Sequence, residues 1–235
     1  MTARPPLVPD VPDPLPPGAD LDGDHRWSQV LNRAQGAGRR GGLFLDRDGV
    51  VVEEVHYLHK PADVKLIDGA AQVVAEANRR GIPVILVTNQ AGIGRGHYGW
   101  SDFIAVHDRI NDDLAACGAF VNAVFACPHH GDGRPPYDRA DHPWRKPNPG
   151  MLLAAAERLP LRLATSWIVG DRATDIEAGR NAGLAGGIHV ATGYGADEGE
   201  RRRALAFAGD DFRALAAPSI AEAAHLLPLF MNAAR

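Results

Sequence analysis

The chain has 235 residues, of which 45% are hydrophobic and 23% charged, the composition of a globular protein with a buried core. Its net charge of −4 shows no basic excess, so we expect neither a nucleic-acid partner nor a membrane surface. No apolar run reaches the roughly 18 residues of a transmembrane helix, and we expect no secretory signal. Two cysteines do not suggest a disulfide framework, and we therefore expect a cytoplasmic location.

Residues 1–41 differ in composition from the rest of the chain. The first 24 contain seven prolines and few large side chains, which predicts an extended arm. Residues 25–39 place Trp27 and other apolar side chains at helical spacing, which predicts a short helix. We therefore expect a proline-rich N-terminal arm over residues 1–41 and one folded domain over residues 42–235.

From residue 42 onwards, strand patterns alternate with helical patterns. The strand segments are apolar without alternation, which is typical of strands buried on both faces. Repeated β-α units predict an α/β fold with a Rossmann-like doubly wound parallel sheet. The predicted strands are residues 43–45, 82–87, 120–125, 167–169, 187–190 and 212–215. The predicted helices are residues 70–80, 101–117 (capped by Ser101), 149–159, 176–182, 196–207 and 219–229.

Polar side chains stand where several predicted strands end, and one further group precedes a helix. Because the carboxyl ends of parallel strands meet at one edge of a sheet, we expect these side chains to form one site. They are Asp46, Asp48, Thr88, Asn89, Gln90, Lys146, Asp171 and Asp175.

The carboxylates suit phosphoryl transfer. Asp46, directly after a strand, is placed to act as a nucleophile that becomes an aspartyl phosphate. Asp48 can donate a proton to the leaving alcohol and later accept one from water. Asp46, Asp171 and a phosphate group would repel one another without a cation, and Mg²⁺ accepts such oxygen ligands.

The remaining polar groups complete that interpretation. Lys146 and the Thr88 hydroxyl would hold the transferring phosphoryl oxygens, and Asp175 would orient Lys146. Each motif alone is also compatible with a turn or a helix cap. Their shared position at strand ends favours phosphoryl-transfer chemistry.

Five motifs carry a resemblance to a known family: LFLDRDGVV, VTNQAGIGRGHY, CPHH, RKPNPGM and VGDRATDIEAG. From residue 42 to the end, the sequence resembles the haloacid dehalogenase superfamily, in particular the branch of heptose bisphosphate and histidinol-phosphate phosphatases. The short segments between the motifs leave no room for a large cap domain. The resemblance implies that Asp46 is the nucleophile, Asp48 the general acid and base, and Thr88 and Lys146 the phosphate ligands. It also implies that Asp171 and the Asp48 carbonyl complete a magnesium site with Asp46.

One segment departs from that branch, which usually carries a zinc loop of the form CxH followed by CxC. Here Cys127 and His129 are present, but His142 and Trp144 stand where the second pair of cysteines is expected. Imidazole can replace a thiolate as a zinc ligand, whereas an indole cannot. Two alternatives stay open: zinc held by Cys127, His129 and His142, or a loop held by its own packing and salt bridges. A fourth ligand could come from His130, Asp138 or Asp141.

The substrate is expected to be a small phosphorylated metabolite. Arg145 is placed for a second anionic group, and Asn89, Gln90 and Arg95 are further candidate contacts. The best specific expectation is removal of the 7-phosphate of D-glycero-D-manno-heptose 1,7-bisphosphate, with histidinol phosphate as the nearest rival. From other classes, a polynucleotide 3′-phosphatase and a non-catalytic binding protein on the same scaffold remain alternatives.

Overall fold

The computed structural model describes residues 10–32 and 38–231, and eight strands form one mixed sheet within them. The strands are β1 (Ala19–Leu21), β2 (Trp27–Val30), β3 (Leu43–Leu45), β4 (Val84–Asn89), β5 (Ala123–Cys127), β6 (Trp167–Gly170), β7 (Gly186–Val190) and β8 (Arg213–Ala217). Their order is β1-β2-β5-β4-β3-β6-β7-β8. The six strands from β3 to β8 are mutually parallel, whereas β1 and β2 are antiparallel additions at the β5 edge. The predicted doubly wound α/β fold is confirmed.

Helices cover both faces of the sheet. They are α1 (Ala70–Arg79), α2 (Ala91–Arg95), α3 (Trp100–Ala116), α4 (Gly150–Arg158), α5 (Ala173–Asn181), α6 (Glu198–Leu205), α7 (Ile220–Ala224) and α8 (Pro228–Met231). Short 3-10 turns occupy Pro61–Asp63, Leu163–Thr165 and Gly193–Ala196.

The two faces have separate cores because neighbouring residues of a strand point to opposite sides. Leu43 and Leu45 belong to the core beneath α1, α3 and α7. Phe44, between them, belongs to the core beneath α4, α5 and α6. All three side chains are fully buried, so β3 is fixed from both sides and its carboxyl end is a rigid position for the residues that follow.

The helix boundaries differ from the prediction at several places, and two of these differences have a clear physical reason. Ser101 is not the cap of α3, because the helix begins one residue earlier and Asp102 accepts a hydrogen bond from the Gly99 amide (2.9 Å). The single closing helix predicted over residues 219–229 is divided into α7 and α8. Pro228 stands at the division, and it lacks the N–H that a continuous helix needs.

The helix predicted over residues 25–39 is wrong where the structure describes it; residues 33–37 lie outside the described ranges. Trp27–Val30 forms strand β2, which pairs with β5, a strand more than 90 residues away in sequence. Trp27 is fully buried and stacks on Trp100 of α3, with ring centroids 5.5 Å apart. This long-range packing overrides the local helical spacing. The division between arm and domain at residue 42 stays a prediction, but the arm shares the sheet.

None of the helices in residues 10–32 and 38–231 combines the length and apolar character needed to cross a bilayer.

Candidate active site

The carboxyl ends of β3, β4 and β6 meet around one buried ammonium group. Lys146 Nζ lies 3.0 Å from Asp46 Oδ1 and 2.7 Å from Asp175 Oδ1, and it donates to the Val87 carbonyl at 2.8 Å. The Lys146 side chain is about 1% exposed. Three oxygens thus surround an ammonium group that carries three hydrogens. The structure thus brings together three predicted site residues from distant parts of the chain.

A reciprocal hydrogen-bond pair holds the Lys146 backbone against the end of β4. The Asn89 amide group donates to the Lys146 carbonyl (3.1 Å), and the Lys146 N–H donates to Asn89 Oδ1 (3.0 Å). Through these two hydrogen bonds, Asn89 holds the backbone of Lys146 in position. The prediction that Asn89 contacts substrate stays a prediction.

Three buried carboxylates form a group that could hold a cation. One oxygen from each of Asp46, Asp171 and Asp175 lies within 4.8 Å of the others. Asp171 Oδ2 accepts from the Tyr194 amide (2.8 Å), while its Oδ1 is buried without a hydrogen-bond partner among the described residues. Gly49, with φ of 79°, packs so closely that a Cβ there would lie 2.3 Å from Asp171 Oδ2. The donor set and the unpartnered oxygen fit a hard divalent cation such as Mg²⁺.

Burial changes the ionisation of these acids. It raises the pKa of Asp46 to about 7, although the Lys146 ammonium opposes the change. It raises the pKa of Asp171 to about 9, and the neighbouring Asp175 and Asp46 carboxylates add to the effect. Both shifts arise because a carboxylate charge is poorly solvated there and is close to like charges. A cation in the group would relieve this penalty.

Asp48 lies in a second network beside the lysine group. Arg47, itself buried, donates through Nε to both Asp48 oxygens at 3.1 Å, and Gln90 Nε2 donates to Asp48 Oδ2 at 3.2 Å. Gln90 also donates to Thr88 Oγ1 (2.8 Å) and accepts from the Tyr98 hydroxyl (2.6 Å). This network fixes Asp48 while leaving its side chain 19% exposed towards the cavity.

The cavity above these groups has a volume of about 320 Å³ and a basic rim. Arg145 lines it and donates to the His129 carbonyl at 3.0 Å. Arg95 lines it as well, held by the Tyr57 hydroxyl and by a ring nitrogen of His130. The structure therefore places both predicted arginines at the mouth of the site.

Sequence reasoning did not single out several other lining residues. Arg172 follows Asp171, and its guanidinium lies 3.7 Å from the Tyr194 ring centroid. Tyr194 belongs to the loop after β7, so its place after a parallel strand was a usable signal. Glu54 lies on the loop after β3 and faces Arg172 and the Tyr194 hydroxyl; burial raises its pKa. Arg47, between Asp46 and Asp48, was also missed, because a side chain between two residues that face a site is usually expected to point away from it.

The structure does not bring the three expected zinc ligands together. His129 and His142 stack in parallel with centroids 4.0 Å apart, and their nearest carboxylate is that of Asp24 from the arm. Cys127 Sγ lies 3.7 Å from Nδ1 of His142, at the opposite ring nitrogen from Asp24. That Nδ1 accepts the Trp144 amide hydrogen (3.1 Å), so its lone pair is used. The arrangement does not fit a Cys127–His129–His142 zinc site.

Comparison with known proteins agrees with this geometry. Residues 143–215 match the family model described as HAD-hydrolase-like. The chain is 50% identical over 145 residues, 62% of its length and 67% of the relative's, to a D-glycero-beta-D-manno-heptose-1,7-bisphosphate 7-phosphatase of Mesorhizobium japonicum. It is 46% identical over 160 residues, 66% of its length and 81% of the relative's, to a D-glycero-D-manno-heptose-1,7-bisphosphate 7-phosphatase of Thermosynechococcus vestitus.

Solved structures show the same relationship. A HAD-like protein from Mesorhizobium loti superposes with a TM-score of 0.77 at 39% identity, covering 87% of this chain and 92% of that one. The D,D-heptose 1,7-bisphosphate phosphatase from B. bronchiseptica, complexed with magnesium and phosphate, superposes with a TM-score of 0.66 at 33% identity, covering 79% and 97%. The chain belongs to the haloacid dehalogenase-like hydrolases. Like its relatives it is a phosphatase, an enzyme that hydrolyses phosphate monoesters.

Proposed function

We propose that this phosphatase transfers the phosphoryl group of a sugar phosphate to Asp46 and then to water. The observation that supports this most directly is the buried group of Asp46, Lys146 and Asp171 at the end of three parallel strands. An Asp46 oxygen attacks phosphorus, and an aspartyl phosphate forms as the bond from phosphorus to the sugar oxygen breaks. The Asp48 carboxyl group gives its proton to the departing oxygen.

The second half-reaction regenerates the enzyme. The ionised Asp48 now accepts a proton from a water molecule, whose oxygen attacks the phosphorus of the aspartyl phosphate. The bond between phosphorus and the Asp46 oxygen breaks, and inorganic phosphate leaves with the oxygen of water. Lys146 and the Thr88 hydroxyl stabilise the charge that spreads over the phosphoryl oxygens.

The same proposal includes magnesium at the buried carboxylates. Asp46, Asp171 and the Asp48 carbonyl would hold it, and the close approach of Gly49 to Asp171 supports this set. When bound, Mg²⁺ supplies positive charge next to the nucleophile and the phosphoryl oxygens. Zinc at the 127–144 loop is not part of the proposal.

For the substrate, we propose D-glycero-D-manno-heptose 1,7-bisphosphate with loss of the 7-phosphate. The named activities of the two relatives at 46–50% identity support this choice. The rim supports it too, because Arg95, Arg145 and Arg172 line the cavity and suit a second phosphate. Histidinol phosphate carries an ammonium group instead, which these arginines would repel. Glu54 lines the same cavity, and its carboxylate could bind that ammonium group. Histidinol phosphate is therefore the alternative substrate to test.

Phosphate release from a substrate panel tests this proposal. The panel contains the heptose bisphosphate, histidinol phosphate, other sugar phosphates and a 3′-phosphorylated oligonucleotide, each with and without Mg²⁺. We expect Mg²⁺-dependent turnover with the heptose bisphosphate preferred, and a loss of at least about 10⁴-fold in Asp46→Asn, because that variant has no nucleophile. Asp20→Asn, on the exposed edge strand, is the control. Preference for another substrate refutes the substrate assignment, and no turnover at all favours a binding protein.

A further inference from the structure

The 127–144 loop contacts the N-terminal hairpin (residues 19–30), which the sequence did not connect with it. Asp24, in the turn of this hairpin, provides two acceptors: its carboxylate lies 3.0 Å from His142 Nε2, and its backbone carbonyl lies 3.0 Å from His129 Nε2. The two stacked imidazoles thus direct their Nε2 atoms at one residue. A carbonyl oxygen only accepts, so His129 donates through Nε2.

The hydrogen-bond directions show which ring-nitrogen lone pairs of His129 and His142 are already used. His142 Nδ1 accepts from Trp144, so its hydrogen is on Nε2 and is donated to the Asp24 carboxylate. Burial lowers the pKa of both imidazoles, which keeps them neutral. A metal-bound imidazole also donates through its second nitrogen, as both rings do here. The difference lies at His142 Nδ1, whose lone pair a metal would need and which instead accepts the Trp144 amide hydrogen. His129 Nδ1 has no hydrogen-bond partner among the described residues.

The hairpin also contacts Trp144, the second residue that departs from the zinc-loop pattern. Arg26 places its guanidinium 4.9 Å from the ring centroid of Trp144, the residue that cannot coordinate a metal. Arg139 of the loop lies 3.3 Å from the Asp24 carboxylate. Contacts therefore run from the hairpin to several parts of the loop.

Both histidines in turn hold Arg145 at the active-site rim. The His142 carbonyl accepts the Arg145 backbone N–H at 2.8 Å, and the His129 carbonyl accepts Arg145 Nη1 at 3.0 Å. Each end of Arg145 is thus tied to a residue that Asp24 fixes. Because the His142 side chain is fully buried, removing its acceptor would leave a buried N–H unpaired.

We propose that the N-terminal hairpin, through Asp24, takes the place of a metal ion in ordering the 127–144 loop, and that Asp24 is a positioning residue for Arg145. The part concerning Arg145 rests on the proposed function, in which this arginine binds the second phosphate. The ordering of the loop does not depend on which substrate is used.

The test compares full-length Asp24→Ala, Asp24→Asn and the control Asp20→Ala, which removes a carboxylate from β1 without touching the loop. In Asp24→Ala, KM for the heptose bisphosphate rises about 10-fold, the size of effect typical of losing an orienting partner. Turnover of 4-nitrophenyl phosphate, which has no second phosphate, stays within about 2-fold. Asp24→Asn, whose amide oxygen still accepts from His142, restores most of the affinity. Equal losses on both substrates would show a merely structural role and overturn the positioning assignment.

Two readouts work without any turnover. Hydrogen exchange of peptides from residues 127–145 is faster in Asp24→Ala than in Asp20→Ala, and wild-type protein purified without chelator carries well under one equivalent of zinc. Unchanged exchange, or stoichiometric zinc, overturns the inference. If the wild type releases no phosphate from the bisphosphate, the proposed function fails, while exchange and metal content still decide whether Asp24 orders the loop.

Discussion

Lys146 is balanced by two carboxylates, and they have different surroundings. Each accepts a backbone hydrogen bond, Asp46 from the Arg47 amide at 2.7 Å and Asp175 from the Arg172 amide at 2.9 Å. They differ in burial, because Asp46 is about 8% exposed and Asp175 about 1%. Asp175 is therefore the fixed partner that holds the ammonium group while Asp46 is free to react. A phosphoryl oxygen that enters must share a Lys146 donor with one of these acceptors.

Substitution of Asp175 tests that division of roles. Asp175→Asn keeps the side-chain volume and an oxygen for the Arg172 amide, but it removes the charge that anchors Lys146. We expect kcat/KM for any phosphate monoester to fall about 10- to 100-fold, as when an orienting partner is lost. Glu177→Gln on the same helix is the matched control and should retain wild-type activity. Steady-state kinetics with saturating Mg²⁺ measures both, and activity within twofold of the wild type in Asp175→Asn would contradict the role.

At the level of elements, strand β2 is fixed to the molecule by one side chain in particular. Trp27 is fully buried, stacks on Trp100 and meets the ring of Phe103 edge-on at 5.9 Å. Trp27→Ala should lower the free energy of unfolding by about 3–5 kcal/mol, because a large cavity remains. Phe120→Ala, at a residue 40% exposed, should cost far less. Urea denaturation measures both variants, and equal midpoints would show that β2 adds little to the stability of the sheet.

The same comparison shows what local sequence could predict. Strands β3, β4 and β6 were recognised because they are apolar on both faces, which only the centre of a parallel sheet explains. Strand β2 was missed because its residues include Ser28 and Gln29, both buried, and because its partner β5 is distant in sequence. Gln29 finds an acceptor in the Pro17 carbonyl (3.2 Å), a contact that no local pattern indicates.

The active site was predictable to a similar depth. The strand ends brought Asp46, Lys146 and Asp175 into contact as expected, because the order of parallel strands fixes which loops meet. The partner of His142 was not predictable, since Asp24 belongs to a segment without a recognisable pattern. The alternative of zinc held by Cys127, His129 and His142 stays a prediction that the geometry does not favour, because a family spacing does not report which atom a neighbouring hairpin supplies.

Helix α3 carries a buried histidine that should make stability depend on pH. His107 is 2% exposed, and neither ring nitrogen has a hydrogen-bond partner among the described residues. Burial lowers its pKa to about 3, with the nearby Arg47 charge acting in the same direction. Below the unfolded value of 6.5 the unfolded chain binds a proton that the folded protein does not, so stability falls as the pH falls towards 3.

Between pH 6.5 and 5 this histidine should account for a loss of about 2 kcal/mol. His107→Leu removes the titrating group and should reduce the fall in unfolding free energy over that interval by about this amount. His225→Leu, at an exposed position, should follow the wild type. Urea denaturation at the two pH values distinguishes them, and parallel pH dependence in His107→Leu and wild type would refute the assignment.

For the molecule as a whole, the buried carboxylates of the active site should make the stability of the metal-free protein depend on pH. Since the pKa values of Asp46 and Asp171 are raised, to about 7 and about 9, the folded state binds more protons than the unfolded state above pH 3.8. The stability of the metal-free protein therefore falls as the pH rises from about 3.8 towards those values, and it levels off above them. Mg²⁺ competes with these protons for the carboxylates, so its binding should strengthen over the same range.

Thermal unfolding with and without Mg²⁺ tests this linkage. We expect the increase in Tm on adding Mg²⁺ to be larger at pH 8.5 than at pH 6.0. A ligand that binds only the folded state stabilises it more when its affinity is higher, and the affinity for Mg²⁺ should rise with pH. Asp171→Asn removes one charge and one proposed ligand, so its metal-free form should lose less stability at high pH and gain little from Mg²⁺. Ca²⁺ can serve as a comparison cation, since it accepts more ligands at longer distances and should fit this compact group less well. If Mg²⁺ raised Tm equally at both pH values, or still raised it in Asp171→Asn, the cation would bind away from the buried carboxylates. The proposed magnesium site would then be refuted.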